Sequence, residues 1–137
     1  MRFADTNVLL YAISRDPAEG AKAIRADALL AERDLALSVQ VLQEFYVQAT
    51  RASRADAISH EDAVELIESF QRFPVAPIGV DVMRAALATR ERFRISYWDA
   101  AILEAARSLR CEVVLSEDLS DGADYAGVRV ENPFRDG

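Results

Sequence analysis

Short apolar runs alternating with stretches of helical periodicity predict an α/β protein built on a parallel sheet. Three observations carry the prediction. Leu35-Ala36-Leu37-Ser38 and Glu112-Val113-Val114-Leu115-Ser116 read as short strands, the second being the clearest in the chain. The segments between them place apolar residues three and four apart. A carboxylate, Asp5, follows the opening Arg2-Phe3-Ala4, at the carboxyl end of a first strand, where open α/β sheets hold their ligands.

Taken in order, strand one covers roughly residues 2–5, and a helix or turn runs from Thr6 to Ile13. Asp5 and Thr6 are also good helix caps. Pro17 suits the first turn of a new helix, on which Ala21, Ile24, Ala28, Leu29 and Ala31 are the apolar positions. Strand two is 35–38, and Ser38 caps a helix reaching about Thr50 with Val41, Leu42, Phe45 and Ala49 in the core. Residues 51–58 are a polar connection. Ser59-His60-Glu61-Asp62 has the form of a helix start, and Ala63, Val64, Leu66, Ile67 and Phe70 follow it. Phe73-Pro74-Val75-Ala76-Pro77-Ile78, bracketed by prolines, fits an edge strand. Asp81 starts a helix carrying Val82, Met83, Ala86, Leu87 and Phe93, closed by the arginines of 90–94. Another helix runs from Ser96-Tyr97-Trp98-Asp99 to Leu109. The strand at 112–116 leads to a turn-rich loop, 117–122, and Val128-Arg129-Val130 is a final strand.

The chain has 137 residues, the size of one domain, and the expected domain spans 1–137. It is 51% hydrophobic and 28% charged, which reads as globular. No apolar run approaches the roughly 18 residues of a membrane span, and Asp5 and Asn7 interrupt any signal-peptide core, so a cytoplasmic location is expected. A single cysteine, Cys111, excludes an internal disulfide and a cysteine-based zinc site; it reads as a small core residue. His60 reads as a solvated surface residue. The net charge of −7 runs against a basic nucleic-acid footprint. Against that, fifteen of the sixteen basic residues are arginine, Lys22 being the exception, and arginine favours bidentate phosphate contact.

Four acids stand out. Asp99 has Ile102 and Leu103 as its i+3 and i+4 neighbours, so it sits on the apolar face of its helix, where an unpaired carboxylate is costly. The alternative is a Ser96-x-x-Asp99 capping box, a motif that usually carries Glu or Gln. Glu44 stands at the edge of an apolar stripe, facing back toward the helix start, and could equally be an ordinary boundary residue. Asp118 follows a strand's carboxyl end and could be a turn residue; Asp121 in the same loop is not separable from it by spacing. Together, Asp5, Glu44, Asp99 and Asp118 come from four elements whose topology places them at one sheet edge. Several carboxylates in one place need a compensating charge, and oxygen-only ligands favour Mg²⁺ or Mn²⁺. One or two such ions activate water and stabilise the leaving oxygen in phosphodiester hydrolysis. Thr6, Asn7 and Ser116 are candidates to orient the ligands or water, and Arg51, Arg54, Arg92 and Arg94 are candidate phosphate contacts. A phosphoacceptor receiver domain would need an adjacent acidic pair and a late lysine, and an Asp-x-Asp phosphatase would need an acid where Asn7 stands.

The ordered set Asp5-Thr6-Asn7-Val-Leu-Leu-Tyr11, Ser38-Val-x-Val-x-x-Glu44-Phe45, Tyr97-Trp98-Asp99-Ala100-Ala101-Ile102, Leu115-Ser116-Glu117-Asp118-Leu119 and Asn132-Pro133-Phe134 resembles PIN-domain proteins, and more closely VapC-type toxins of toxin–antitoxin pairs. The resemblance covers nearly the whole chain. It implies a three-layer α/β/α sandwich with a central, mainly parallel sheet. It further implies a Mg²⁺- or Mn²⁺-dependent endoribonuclease cutting tRNA, rRNA or mRNA, with Asp5, Glu44 and Asp99 as core metal ligands and Asp118 as the fourth acid. Ser116 stands where the motif more often has Thr, and keeps the hydroxyl. A VapB-type antitoxin and a homodimer are the implied partners, with no membrane. The alternatives are a PIN-like RNA- or partner-binding module without cleavage and a housekeeping RNA-processing nuclease.

Overall fold

The computed structural model describes residues 1–135; Asp136 and Gly137, the end of the expected domain, lie outside the described residues. Among the described residues, six strands form one sheet in the order β3-β2-β1-β4-β6-β5. They are β1 (Arg2–Ala4), β2 (Leu35–Ser38), β3 (Val75–Ala76), β4 (Val113–Leu115), β5 (Asp124–Tyr125) and β6 (Val128–Glu131). All pairings are parallel except that of β5 with β6. The helices are α1 (Thr6–Ala12), α2 (Gly20–Ala31), α3 (Val39–Ala49), α4 (His60–Phe70), α5 (Val80–Phe93) and α6 (Tyr97–Ser108), with a short 3₁₀ turn at Pro17–Glu19.

The chain moves outward from β1 to β2 to β3, then returns to place β4 on the other side of β1. Right-handed crossovers put the helices of the outward path on one face and those of the return on the other. Accordingly α1, α2, α3 and α4 pack among themselves, and α5 packs on α6. The result is an α/β/α sandwich whose switch of direction lies between β1 and β4. A ligand crevice forms at such a switch, outside the carboxyl ends of the strands.

The central strands are buried on both faces, and this explains their unbroken apolar character. Phe3, Ala4, Leu35, Leu37, Val114 and Leu115 are buried, and Val8, Leu9, Leu29, Val41, Phe45 and Leu103 close over them from the helices. The serines anticipated as caps do cap: the side chains of Ser38, Ser59 and Ser96 accept from the backbone N–H three residues on. Phe45 is fully buried and meets Phe70 edge to face at 5.3 Å. Phe45→Ala is expected to destabilise the protein by about 3–5 kcal/mol in urea unfolding, through lost burial and the cavity left behind.

Three expectations need correction. On α2 the buried face is Ala26, Leu29 and Leu30, whereas Ile24 is 74% exposed and Ala21, Ala28 and Ala31 are exposed. The helix touches α1 along a narrow stripe, and alanine is too small to show which side is covered. Helix α5 begins at Val80 after a Gly79 cap, one residue before Asp81. Its Met83 and Leu87 are exposed rather than core; Ala86 is the residue of α5 that is fully buried, against Ala100 and Ala101 of α6. Strand β5 is an addition, between the 117–122 loop and the final strand, where the sequence points to no element; it is two residues long and begins with Asp, too short to show a period. The Ala126-Gly127 turn that joins it to β6 has positive φ at both residues, as a tight hairpin demands. Cys111 is buried as expected; exposed His60 shares a 2.9 Å hydrogen bond with the Tyr46 hydroxyl.

Candidate active site

The register of β1 against β4 creates the site. Ala4 lies opposite Leu115, and Asp5 N–H donates to the Leu115 carbonyl at 3.0 Å, so Asp5 and Ser116 leave the sheet side by side. Asp5 is both a cap and a cleft residue. One carboxylate oxygen accepts from Thr6 N–H at the start of α1, and the other accepts from the Ser116 hydroxyl at 2.7 Å. Ser116 is fully buried, and its oxygen also accepts from the N–H groups of Asp118 and Leu119, which shapes the loop behind β4. Asn7 donates to Asp118 at 3.2 Å.

Glu44 reaches the same place from α3. The Thr6 hydroxyl donates to one of its oxygens at 2.8 Å, and Gln40, one turn earlier, donates to the other at 2.9 Å. Asp99 arrives on the first turn of α6. Its backbone N–H donates to Ser96, fixing the helix start, and Asp99 lines the cleft. Asp5, Glu44, Asp99 and Asp118 thus border one cleft of about 330 Å³ at the switch of strand order. Asp121 does not border it; it accepts from Asn132 N–H and pairs with Arg135. Of the candidate phosphate contacts, Arg54 lines the cleft and Arg51 lines the adjoining groove. Arg92 and Arg94, at the end of α5, line neither.

The electrostatics set Asp5 apart from a surface charge. Burial pushes the Asp5 carboxyl up to about 6; the hydrogen bonds from Ser116 and Thr6 oppose the rise, and the charges of Asp118 and Glu44 add to it. Among the described residues, no lysine or arginine pairs with Asp5, Glu44, Asp99 or Asp118. Among the described residues, no three such side chains stand within joint reach of one ion. The oxygens of Asp5, Glu44 and Asp118 take neutral donors. An uncompensated, oxygen-only set of this kind fits a hard divalent cation.

Two groups of residues were missed from sequence. Buried Gln40 ties Glu44 to the Trp98 carbonyl, at 2.9 and 3.3 Å; a polar residue one turn before Glu44 was the available signal. Glu117, beside Asp118, is held by Tyr11 and Lys22. Burial works against its charge, but these hydrogen bonds keep the Glu117 carboxyl below its usual range, and they push the Lys22 amine up to about 12. The one lysine therefore neutralises an acid at the cleft margin and not one of the four. Nothing in its spacing announced this.

A family model described as PIN domain matches residues 2–120. The chain belongs to the PIN domain family. No curated protein gives a match. Among solved structures, this PIN domain resembles a toxin–antitoxin complex from Klebsiella pneumoniae at 21% identity, with 97% of this chain and 98% of that one covered and a TM-score of 0.69. It resembles VapC20 of Mycobacterium tuberculosis, a sarcin–ricin-loop-cleaving toxin, at 19% identity, 86% and 90% coverage and a TM-score of 0.67. FitAcB from Neisseria gonorrhoeae follows at 20% identity, 98% and 99% coverage and a TM-score of 0.66. At these identities the likeness to each is one of fold. Among the described residues, no helix of the PIN domain is long and apolar enough to cross a membrane.

Proposed function

We propose that this PIN domain is a metal-dependent endoribonuclease acting as the toxin of a toxin–antitoxin pair. The observation that carries the reading is the cleft itself: four carboxylates from four elements, none paired with a basic side chain among the described residues, at the switch point of the sheet. Asp5, Glu44, Asp99 and Asp118 would hold Mg²⁺ or Mn²⁺, which supplies water activation and stabilisation of the leaving oxygen. Thr6, Asn7, Gln40 and Ser116 hold the carboxylates of Asp5, Glu44 and Asp118 in place by hydrogen bonds. Arg54, whose Nε lies 2.8 Å from Asp56, is the cation in position to meet the RNA phosphate.

The partners follow from the same reading. A VapB-type antitoxin would answer the acidic cleft with a basic tail, and solved structures of similar fold include a toxin–antitoxin complex. Ile78, Val80, Met83 and Leu87, all more than 40% exposed around α5, supply an apolar face for a homodimer.

Purified protein should cleave total tRNA or rRNA in Mg²⁺ or Mn²⁺ and stop in EDTA. Intact RNA with either metal would overturn the nuclease reading and leave a binding module. Ser116→Ala is expected to weaken Mn²⁺ binding, read by titration calorimetry, by about 10–100-fold, with Ser116→Thr close to wild type.

A further inference from the structure

We propose that Trp98 and Arg51 form a nucleotide subsite beside the acid cleft, in which Trp98 stacks a base of single-stranded RNA and Arg51 meets the adjoining phosphate. This rests on the nuclease reading and names how its substrate is held. Trp98 is the one tryptophan of the chain and is 65% exposed. A large aromatic at the surface is ordinary by itself; its place is what matters. It borders the acid cleft on one side and a second groove of about 380 Å³ on the other. Gln40, Glu44 and Gln48 border both spaces, so the two adjoin.

The groove's other wall is one face of α3. Gln40, Gln43, Glu44, Val47 and Gln48 line it from the helix, and Arg51 follows just past the helix end. This wall offers exposed amides that can bond base edges, and it ends on an arginine with no carboxylate partner among the described residues. Such a combination of flat aromatic, amides and cation suits unstacked nucleotides. Duplex RNA keeps its bases stacked and cannot use it. The platform is also held in register with the acids. Gln40 donates both to Glu44 and to the Trp98 carbonyl, and Tyr97 braces the indole edge-on, with ring centroids 5.0 Å apart. A base on Trp98 would therefore sit a fixed distance from the bond to be cut, so the subsite contributes to the choice of cleavage position.

The test titrates Asp5→Asn protein, which leaves the RNA whole, with an unstructured single-stranded RNA decamer in Mg²⁺. Saturable quenching of the single tryptophan is expected, with none from a duplex of the same sequence. Anisotropy of labelled decamer, on the same background, should show Trp98→Ala weakening binding about 10-fold and Trp98→Phe within about 3-fold of the parent. Arg51→Gln should weaken it and reduce the salt dependence. In cleavage by otherwise wild-type protein, Trp98→Ala should act chiefly on KM. Absent quenching, or equal affinity in Trp98→Ala, overturns the subsite. So does a light-scattering result in which Trp98→Ala turns a dimer into a monomer with RNA affinity unchanged, because Trp98 would then belong to an interface between copies. If Trp98→Ala fails to fold, the parent quenching and the Phe and Arg51 variants decide. Cleavage with an unaltered KM in Trp98→Ala removes the subsite alone. Quenching without cleavage by wild type removes the nuclease reading alone.

Discussion

Asp5→Asn and Asp99→Asn are each expected to lower metal-supported RNA cleavage by at least about 100-fold, more than loss of a supporting hydrogen bond costs. Asparagine has nearly the shape of aspartate, so the backbone geometry survives. At Asp5 the amide oxygen can still accept from Thr6 N–H. What disappears is one negative charge in a set of four that no basic side chain among the described residues offsets. Asp118→Asn should follow the same direction, since Asp118 borders the cleft beside Asn7. Asp121→Asn should leave cleavage unchanged, because Asp121 binds Asn132 and Arg135 outside the cleft. Single-turnover cleavage of a fixed RNA, with circular dichroism to confirm folding, reads all four. Equal rates for Asp5→Asn, Asp99→Asn and wild type would sink the assignment of these acids.

The same Asp5→Asn change should stabilise the protein in EDTA. Asp5 has only 7% of its surface exposed, and burial raises its carboxyl from 3.8 to about 6. Between these values the folded state keeps a proton that the unfolded state has released. Stability from this group is therefore present below about pH 4 and lost as pH rises through about 6. At pH 7 the ionised carboxylate costs roughly 2–3 kcal/mol. Asp5→Asn removes that cost. Its advantage over wild type, measured by urea unfolding, should grow from near zero at pH 4 to roughly 2–3 kcal/mol at pH 7. Saturating Mg²⁺ should shrink the difference, since a cation holds the ionised form in the folded state. An advantage that stays flat across this range would show that Asp5 is not strained by burial. Together, the two expectations describe a residue retained at a cost to stability.

The sequence carried local structure well where the signal was chemical. Ser38, Ser59 and Ser96 announced helix starts, and the prolines around Val75 announced an edge strand. It carried less where small or isolated apolar residues had to be assigned a face. Ile24, Met83 and Leu87 fit a helical period, yet all three are exposed, because periodicity says which residues align and not which side meets the core. The opposition between cap and functional acid at Asp5 also dissolved, since its two oxygens do different work.

The α/β class, the ordered set of Asp5, Glu44, Asp99 and Asp118, and the resemblance to PIN domains were all legible in the amino-acid order, because each depends on residue type and spacing. Tertiary structure alone decided how the acids meet. Pairing of Ala4 with Leu115 sets Ser116 beside Asp5, the loop behind β4 takes Asp118 into the cleft and leaves Asp121 outside, and Gln40 reaches the Trp98 carbonyl across 58 residues while holding Glu44. Lys22 and Glu117, 95 residues apart, pair for the same reason. Contacts of that reach depend on strand register and crossover hand, which residue spacing along the chain does not encode.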